Sequence, residues 1–337
     1  MNTISRRDFA KLSIGVTSII GFPKVSKALT QTELEMTDRK EFDVIIVGGS
    51  FSGMAAAMAL GRALRNVLII DSGSPCNSVT PASHNFLTQD GKAPADITAI
   101  ARAQLSHYDT IDFYEGVAES AIKTTEGFEV TVSDGDKFIA KKLIFATGIK
   151  DVLPEISGLA ACWGKTVLHC PYCHGYEVRF EPTGILGNGD YGFEFSALIS
   201  NWTNDLKLFT NGKSTLTKEQ TEKLHKHRIS IIEKEIAELE HLSGSLQRIN
   251  FRDGTTSFVK ALYTRVPFLQ YCPIPQSLGA VLTEEGYLKI DSSHKTSVDG
   301  VFACGDNTTR LRTVANAVSA GTTTGMMVNK ELINEKL

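Results

Sequence analysis

The sequence predicts an α/β protein built from two Rossmann-like dinucleotide-binding units. A β-branched run, a glycine turn and a helix-forming run occur in that order near residue 48 and again near residue 187. The chain of 337 residues also has room for two cores, at roughly 150 residues per domain. Composition narrows the class further. Hydrophobic residues make up 42%, charged residues 22%, and 35 Lys and Arg stand against 38 Asp and Glu, a formal net charge of −3. These ordinary globular values argue against disorder and against a nucleic-acid surface. Six cysteines over this length make no disulfide framework, so the pair Cys170-x-x-Cys173 has to be read as redox, metal or incidental.

The first 40 residues are set apart from the fold. Ser5-Arg6-Arg7-Asp8-Phe9-Ala10-Lys11 precedes a mostly apolar run over residues 12–22, followed by Ser26-Lys27-Ala28. The pattern resembles a twin-arginine export signal and lead-in; the alternative is an amphipathic N-terminal helix that happens to begin with two arginines. The run is shorter than the roughly 20 residues a membrane span needs, and no other stretch comes near that length free of charge. The expectation is export to the periplasm or cell envelope without a stable membrane span, or a cytoplasmic protein if the signal is not functional.

Residues 42–47 are the first strand, Gly48-Gly49-Ser50-Phe51-Ser52-Gly53 the turn, and residues 54–60 the helix. In such a turn the first Gly permits the bend, the third lets helix and strand pack closely, and free N–H groups at the helix start hold a pyrophosphate. Ser50 replaces the usual second Gly. The next strand, residues 66–70, ends in Asp71, 23 residues after Gly48, where a carboxylate can hold a ribose hydroxyl. Residues 128–132 with 137–140 read as a small antiparallel excursion, and residues 142–148 as a strand ending in Ala146-Thr147-Gly148. The second turn, Gly187-Asn188-Gly189-Asp190-Tyr191-Gly192, keeps all three glycines between a strand at 184–186 and a helix expected over 193–202. The strand after it ends in Asn211-Gly212-Lys213, with neither an acid for a free ribose nor an arginine cluster for a 2′-phosphate. Whether this turn binds NADP, NAD or nothing is left open. Near the C-terminus, residues 300–306 end a strand in Gly305-Asp306, and residues 313–328 form an Ala- and Gly-rich stretch.

The order of glycine turn, Asp71, His84-Asn85-Phe86, Ala146-Thr147-Gly148, C-x-x-C, second glycine turn and Gly305-Asp306 resembles the low-molecular-weight thioredoxin-reductase-type flavoproteins over residues 41–337. Cys170-Pro171-Tyr172-Cys173-His174-Gly175-Tyr176-Glu177 is more similar to the branch holding the gliotoxin- and holomycin-type dithiol oxidases. The resemblance implies a discontinuous FAD-binding domain, residues 41–152 and 275–337, with an NAD(P)-binding-like domain, residues 153–274, inserted and carrying the C-x-x-C. It implies that Gly48, Gly49, Ser50, Gly53, Asp71, Asn85, Gly305 and Asp306 hold FAD, and that the helix from Thr313 faces the flavin. Gly187, Gly189 and Gly192 would serve NADP or NAD, and a homodimer is expected.

Cys170-Pro171-Tyr172-Cys173 shares its letters with a glutaredoxin site, but that motif would open the first helix of a small domain rather than follow a linker. Zinc would need ligands beyond His169 and His174, and no second C-x-x-C supplies them. The redox reading remains, with no metal. Cysteines three apart at a helix start close a short disulfide, and the helix start favours thiolate. By resemblance, Cys170 attacks the substrate and Cys173 faces the flavin. His174 stands where thioredoxin reductases carry an aspartate, which makes it the candidate acid/base, with His169 the alternative. Cys76, Cys162, Cys272 and Cys304 are expected to be small buried hydrophobes. The resulting function is a two-electron exchange between a dithiol or disulfide substrate, the Cys170/Cys173 pair and FAD. The substrate would be a small dithiol or a thioredoxin-like protein. The expected direction is that of a thiol oxidase; NAD(P)H-dependent disulfide reduction and a redox sensor without turnover are the alternatives.

Overall fold

The computed structural model describes residues 41–337; the segment read as an export signal lies outside them. Strand β1 (Glu41–Val47) buries Val44, Ile45 and Ile46 completely, as a strand covered on both faces requires. It pairs in parallel with β2 (Val67–Asp71) and with β6 (Lys137–Phe145), and β2 pairs with β3 (Ile111–Glu115). The other edge of β6 is shared. Residues 137–140 run antiparallel to β5 (Gly127–Val132), itself antiparallel to β4 (Ala118–Thr124), whereas residues 143–145 pair in parallel with β17 (Val301–Ala303). The antiparallel excursion and the following strand read from the sequence are therefore one continuous nine-residue strand.

Helices α1 (Phe51–Arg62), α2 (Pro94–Leu105) and α8 (Val314–Asn334) cover one face of this sheet. Short α7 (Ile274–Ser277) lies by the other face, where Phe128, Val130, Leu143 and Phe145 form a second apolar layer. Helix α8 comes very close to α1. A Cβ on Gly321 would sit 2.0 Å from the Ser52 carbonyl oxygen, and one on Gly325 would sit 2.5 Å from that of Ala56. The far end of α8 is tied down by buried Lys142 of β6, whose Nζ lies 2.7 Å from Glu331 and also pairs with Glu335, while Lys295 reaches Glu331 at 2.9 Å.

The second sheet is wholly parallel, in the order β11 (Ser230–Ile232), β10 (Leu206–Phe209), β9 (Thr183–Leu186), β15 (Ala261–Thr264), β8 (Val167–Leu168). Ile185 and Leu208 pack against helices α5 (Gly189–Ile199) and α6 (Lys218–Lys226). Phe209 and Leu262 face the antiparallel meander β12 (Ile236–Leu242), β13 (Ser245–Phe251), β14 (Thr256–Phe258), with α3 (Leu159–Cys162) alongside. This alternation of successive residues is what a strand with two covered faces produces. Helix α5 starts at Gly189 rather than at residue 193, because Asn188 caps it inside the glycine turn. The two chain passages between the sheets meet as a short antiparallel ladder of β7 (Ile149–Asp151) and β16 (Phe268–Gln270). Helix α4 (Pro171–His174) is a single turn bearing the cysteines.

The α1–α8 crossing yields a test. Ala has about 1 kcal/mol better helix propensity than Gly, but a methyl at 2.0 Å from a carbonyl oxygen forces overpacking that costs roughly 1–3 kcal/mol or more. Gly321→Ala is therefore expected to destabilise the protein by about 1 kcal/mol or more net in urea unfolding. A neutral or stabilising substitution would contradict the close crossing.

Candidate active site

The first glycine turn is held by its neighbours' backbones. Gly48 has φ +105°, and a Cβ there would lie 2.4 Å from the Ala146 carbonyl oxygen; one on Gly53 would lie 1.9 Å from that of Gly48. Gly49 donates to Asp71 Oδ1 at 3.1 Å, and Arg102 reaches Asp71 Oδ2 at 3.2 Å. Ser50 is the N-cap of α1 yet makes no side-chain cap, and the first turn of that helix carries no acid. The positive end of the helix dipole and its orphan N–H groups are thus left open to an anion.

Gly305 and Asp306 follow β17 at the same end of the sheet. A Cβ on Gly305 would meet Ser52 Oγ at 2.5 Å. Burial pushes the Asp306 carboxyl up to about 6, and Arg312 beside it works in the opposite direction. Arg312 forms a two-pronged pair with Asp151 at 2.8 and 2.9 Å and places Nε 3.6 Å from Asp306. Buried Asn307 donates to the Phe145 carbonyl, leaving its own side-chain oxygen with no partner among the described residues. Thr313 caps α8 through Asn316 N–H. Cys162, Cys272 and Cys304 are buried as expected, but Cys76 is exposed, on the loop after β2, with Sγ 4.0 Å from Asp306 Oδ2. Its loop runs over the surface rather than through a core, so burial did not follow from residue type.

The second glycine turn differs at the atoms that matter for an anion. Asn188 Oδ1 accepts from Gly189 N–H at 2.8 Å and from Thr215 N–H at 2.8 Å, while its amide donates to the Lys213 carbonyl. Thr215 Oγ1 stands 3.0 Å from where a Gly189 Cβ would be, and the Tyr191 ring stands 2.7 Å from that of Gly187. Asp190 adds a carboxylate in the first turn of α5. A cavity of about 440 Å³ remains beside the turn, bordered by Leu153, Leu186, Tyr191, Asn211 and Arg265.

Cys170 and Cys173 are joined as a disulfide across α4. That helix is one turn long, so its dipole does little for a thiolate, and neighbouring side chains carry more of the weight. Gly175 lets the turn rest on Trp202, whose Nε1 would lie 2.7 Å from a Cβ there. A groove of about 250 Å³ lies against the turn that carries the pair, lined by Pro171 and Tyr172 between the two cysteines, by Tyr176, Glu177 and Trp202, and by His84, Asn85 and Asp90 of the loop before α2. Burial lowers the pKa of His174, with Glu177 acting against it. Burial and Arg312 lower His169 further, to about 4.

The structure therefore brings Asn85 to the cysteine groove and groups Gly48, Gly53, Gly305 and Asp306 around α1. Nothing local in the sequence assigns a role to Asp151, Arg312 or Asp90; Glu177 is signalled only by its place at the end of the C-x-x-C stretch. Among the described residues no group of His, Cys, Asp or Glu is placed to hold a metal ion. The residues around the first turn fit FAD: an uncapped helix start, a neighbouring carboxylate and a buried Asn307 oxygen without a partner. The second turn fits a dinucleotide less well, since Asn188 already takes the Gly189 N–H, one of the groups a pyrophosphate would use, and Asp190 sets a carboxylate in the same helix turn. Asp306→Ala should weaken FAD by about tenfold or more, the value of a hydrogen bond to a charged group being roughly 1.5–3 kcal/mol. Flavin absorbance after gel filtration measures this, and a folded wild type without flavin would overturn the assignment.

The comparisons with known proteins agree with this layout. The pyridine nucleotide-disulphide oxidoreductase family matches residues 42–321. The thioredoxin reductase tcpT of Claviceps purpurea is 33% identical over 302 residues, covering 86% of this chain and 94% of its own. An oxidoreductase from Agrobacterium tumefaciens is 33% identical with a TM-score of 0.82, over 87% of this chain and 99% of its own. The thioredoxin reductase TrxB from Bacillus anthracis, described as putative in its structure's name, is 27% identical with a TM-score of 0.84, over 88% and 100%. With two Rossmann-type units, a paired C-x-x-C and these matches, the chain belongs to the pyridine nucleotide-disulphide oxidoreductases, a FAD-binding family with an NAD(P)-binding domain, and is a thioredoxin-reductase-like enzyme.

Proposed function

We propose that this enzyme runs as a thiol oxidase, taking two electrons from a dithiol substrate through Cys170 and Cys173 to FAD. The observation that carries the direction is the contrast between the two helix starts. Helix α1 is uncapped and free of acid, whereas α5 is capped by Asn188 and carries Asp190 in its first turn. A nicotinamide dinucleotide would have to displace the Asn188 bond and bring its pyrophosphate against Asp190, so the NAD(P)-type unit serves here to carry the disulfide.

In this reading a substrate thiolate attacks Cys170 Sγ, the Cys170–Cys173 bond breaks, and Cys173 leaves as thiolate. The second substrate thiol then displaces Cys170, giving a substrate disulfide and the reduced cysteine pair. His174 takes the proton of each attacking thiol in turn, returning one to the Cys170 sulfur as it leaves and releasing the other, so that Cys173 remains a thiolate. FAD, when bound, supplies the two-electron acceptor that restores the enzyme disulfide, with oxygen or a membrane carrier receiving the electrons afterwards. The groove past Pro171 and Tyr172 suits a small dithiol. A homodimer, the assembly implied by the resemblance, belongs to the same reading.

NAD(P)H-dependent disulfide reduction is the second reading, favoured by the three retained glycines and the 440 Å³ cavity beside them. Anaerobic mixing separates the two. Dithiothreitol should bleach the flavin rapidly, NADPH and NADH only slowly, and Cys170→Ser or Cys173→Ser should abolish bleaching by the dithiol while FAD stays bound. Rapid bleaching by a nicotinamide nucleotide with none by dithiols would establish the reductase, and less than one equivalent of dithiol oxidised per flavin in air would indicate a sensor.

Export belongs to the same proposal and rests on Arg6-Arg7 with Phe9 and Lys11. The twin-arginine route carries folded proteins, which suits an enzyme that acquires FAD before leaving. Changing both arginines to lysine should hold the protein in the cytoplasm, because the pair is read by a receptor rather than as charge; unchanged envelope recovery in cell fractionation would refute the signal.

A further inference from the structure

The groove beside the disulfide holds more titratable groups than thiol exchange uses. Glu177 lies three residues beyond His174, and its Oε1 is 3.5 Å from His84 Nε2. On the other side of the same imidazole, Nδ1 is 3.6 Å from Asp90 Oδ1. Side-chain exposure is 20% at His84, 39% at Glu177 and 66% at Asp90, so the series ends in open water. The three residues come from two chain segments, the loop before α2 and the turn after α4, and all three line the groove with Pro171 and Tyr172.

We propose that Glu177, His84 and Asp90 form a proton relay that drains His174 to solvent while substrate fills the groove. This inference rests on the thiol-oxidising reading. The need for an exit follows from the balance. A dithiol that becomes a disulfide gives up two electrons and two protons, and two-electron reduction of FAD at neutral pH takes up both electrons but retains about one proton. The remaining proton has to leave. A substrate lying along Pro171 and Tyr172 displaces the water on that side, and an imidazole with carboxylates 3.5 and 3.6 Å from its two nitrogens accepts a proton on one nitrogen and releases one from the other once a small side-chain movement or a bridging water closes each gap. Burial keeps His174 a weak base, so it passes a proton on readily rather than storing it.

The groups facing His84 are few. Asp90 belongs to its own loop, and Glu177 and His174 approach from the α4 side. Arg179 lies beyond them and stacks on the Tyr176 ring at 3.9 Å. Lys92 pairs with Ser83 through its backbone. Glu177 and Asp90 are thus the two anions within reach of the ring, one at each nitrogen.

The test uses the flavin-loaded protein, mixed anaerobically with dithiothreitol from pH 5.5 to 9. His84→Gln and Glu177→Gln should slow flavin reduction by roughly 10²-fold, the lower end of the range for general acid–base groups. Asp90→Asn should slow it less, because water takes over at the exposed end. Added imidazole should restore much of the His84→Gln rate, which loss of packing would not allow. A readout beyond the rate is proton release into lightly buffered solution, followed with a pH-indicator dye, which should keep step with flavin reduction in the wild type and lag behind it in His84→Gln. Absence of reduction in the wild type would fail the thiol-oxidising reading itself. Normal wild-type reduction with an unchanged His84→Gln rate, or proton release that still keeps step with reduction in His84→Gln, would overturn the relay alone.

Discussion

Four backbone segments converge on the start of α1 with no room for a side chain between them. A Cβ on Gly48 would meet Ala146, one on Gly53 would meet Gly48, and ones on Gly305 and Gly321 would meet Ser52, all at 2.5 Å or less. These contacts join a strand end, a helix start, the loop after β17 and the middle of α8. The arrangement of β6, β17 and α8 is consistent with them. The strand end and the β17 loop have to arrive together, so β6 must offer one edge to β1 and half of the other to β17. Helix α8 must lie against α1, which directs its capped start at Thr313 toward the same region. Gly53 and Gly321 are needed for proximity, since only a residue without Cβ lets two backbones touch, whereas Gly48 and Gly305 also hold φ of +105° and +89°, which favours glycine.

The same turn occurs twice, and the second copy shows how little of an anion site the fold itself supplies. Both copies have a parallel strand, a glycine bend and a helix pointing at the bend. A helix start carries about half a positive charge and several N–H groups without partners. At α1 nothing neutralises them. At α5 the Asn188 side chain satisfies the first N–H, Thr215 closes over it, and Asp190 sets a carboxylate in the positive field. The fold therefore permits nucleotide binding at both ends and decides it at neither.

How much of this could be read from the sequence depended on whether the determinant was local. The two glycine turns and the C-x-x-C were legible because each is a short stretch whose geometry its own residues dictate. Helix α5 starts four residues earlier than its glycines suggest, because an Asn188 cap inside the turn leaves no mark that separates it from an open glycine loop. The antiparallel excursion was legible from alternation, but its continuity with the strand at 142–145 was not, since one strand changing partners halfway leaves no mark in periodicity. The pairs Asp151–Arg312 and His84–Glu177 were invisible for a plainer reason. Each joins residues from distant segments, and no local pattern states which charged side chains the fold will bring together.

The two histidines flanking the cysteines show what such distant partners do. His169 and His174 are equivalent on the sequence, each one residue outside the pair. The fold gives His169 the company of Arg312, held in place by Asp151, and a positive neighbour together with burial brings its pKa to about 4. An imidazole so disposed is neutral at physiological pH and a poor acceptor for a thiol proton. His174 is also buried, but its strongest charged neighbour is the Glu177 carboxylate, which opposes the effect of burial. A negative group beside it stabilises the protonated ring that forms when a thiol is ionised. The acid/base role at the disulfide thus falls more naturally to His174. The residue that makes the difference at His169, Arg312, comes from the segment between β17 and α8, so the protonation chemistry beside the cysteine pair is set in part by a distant side chain anchored on Asp151 of β7.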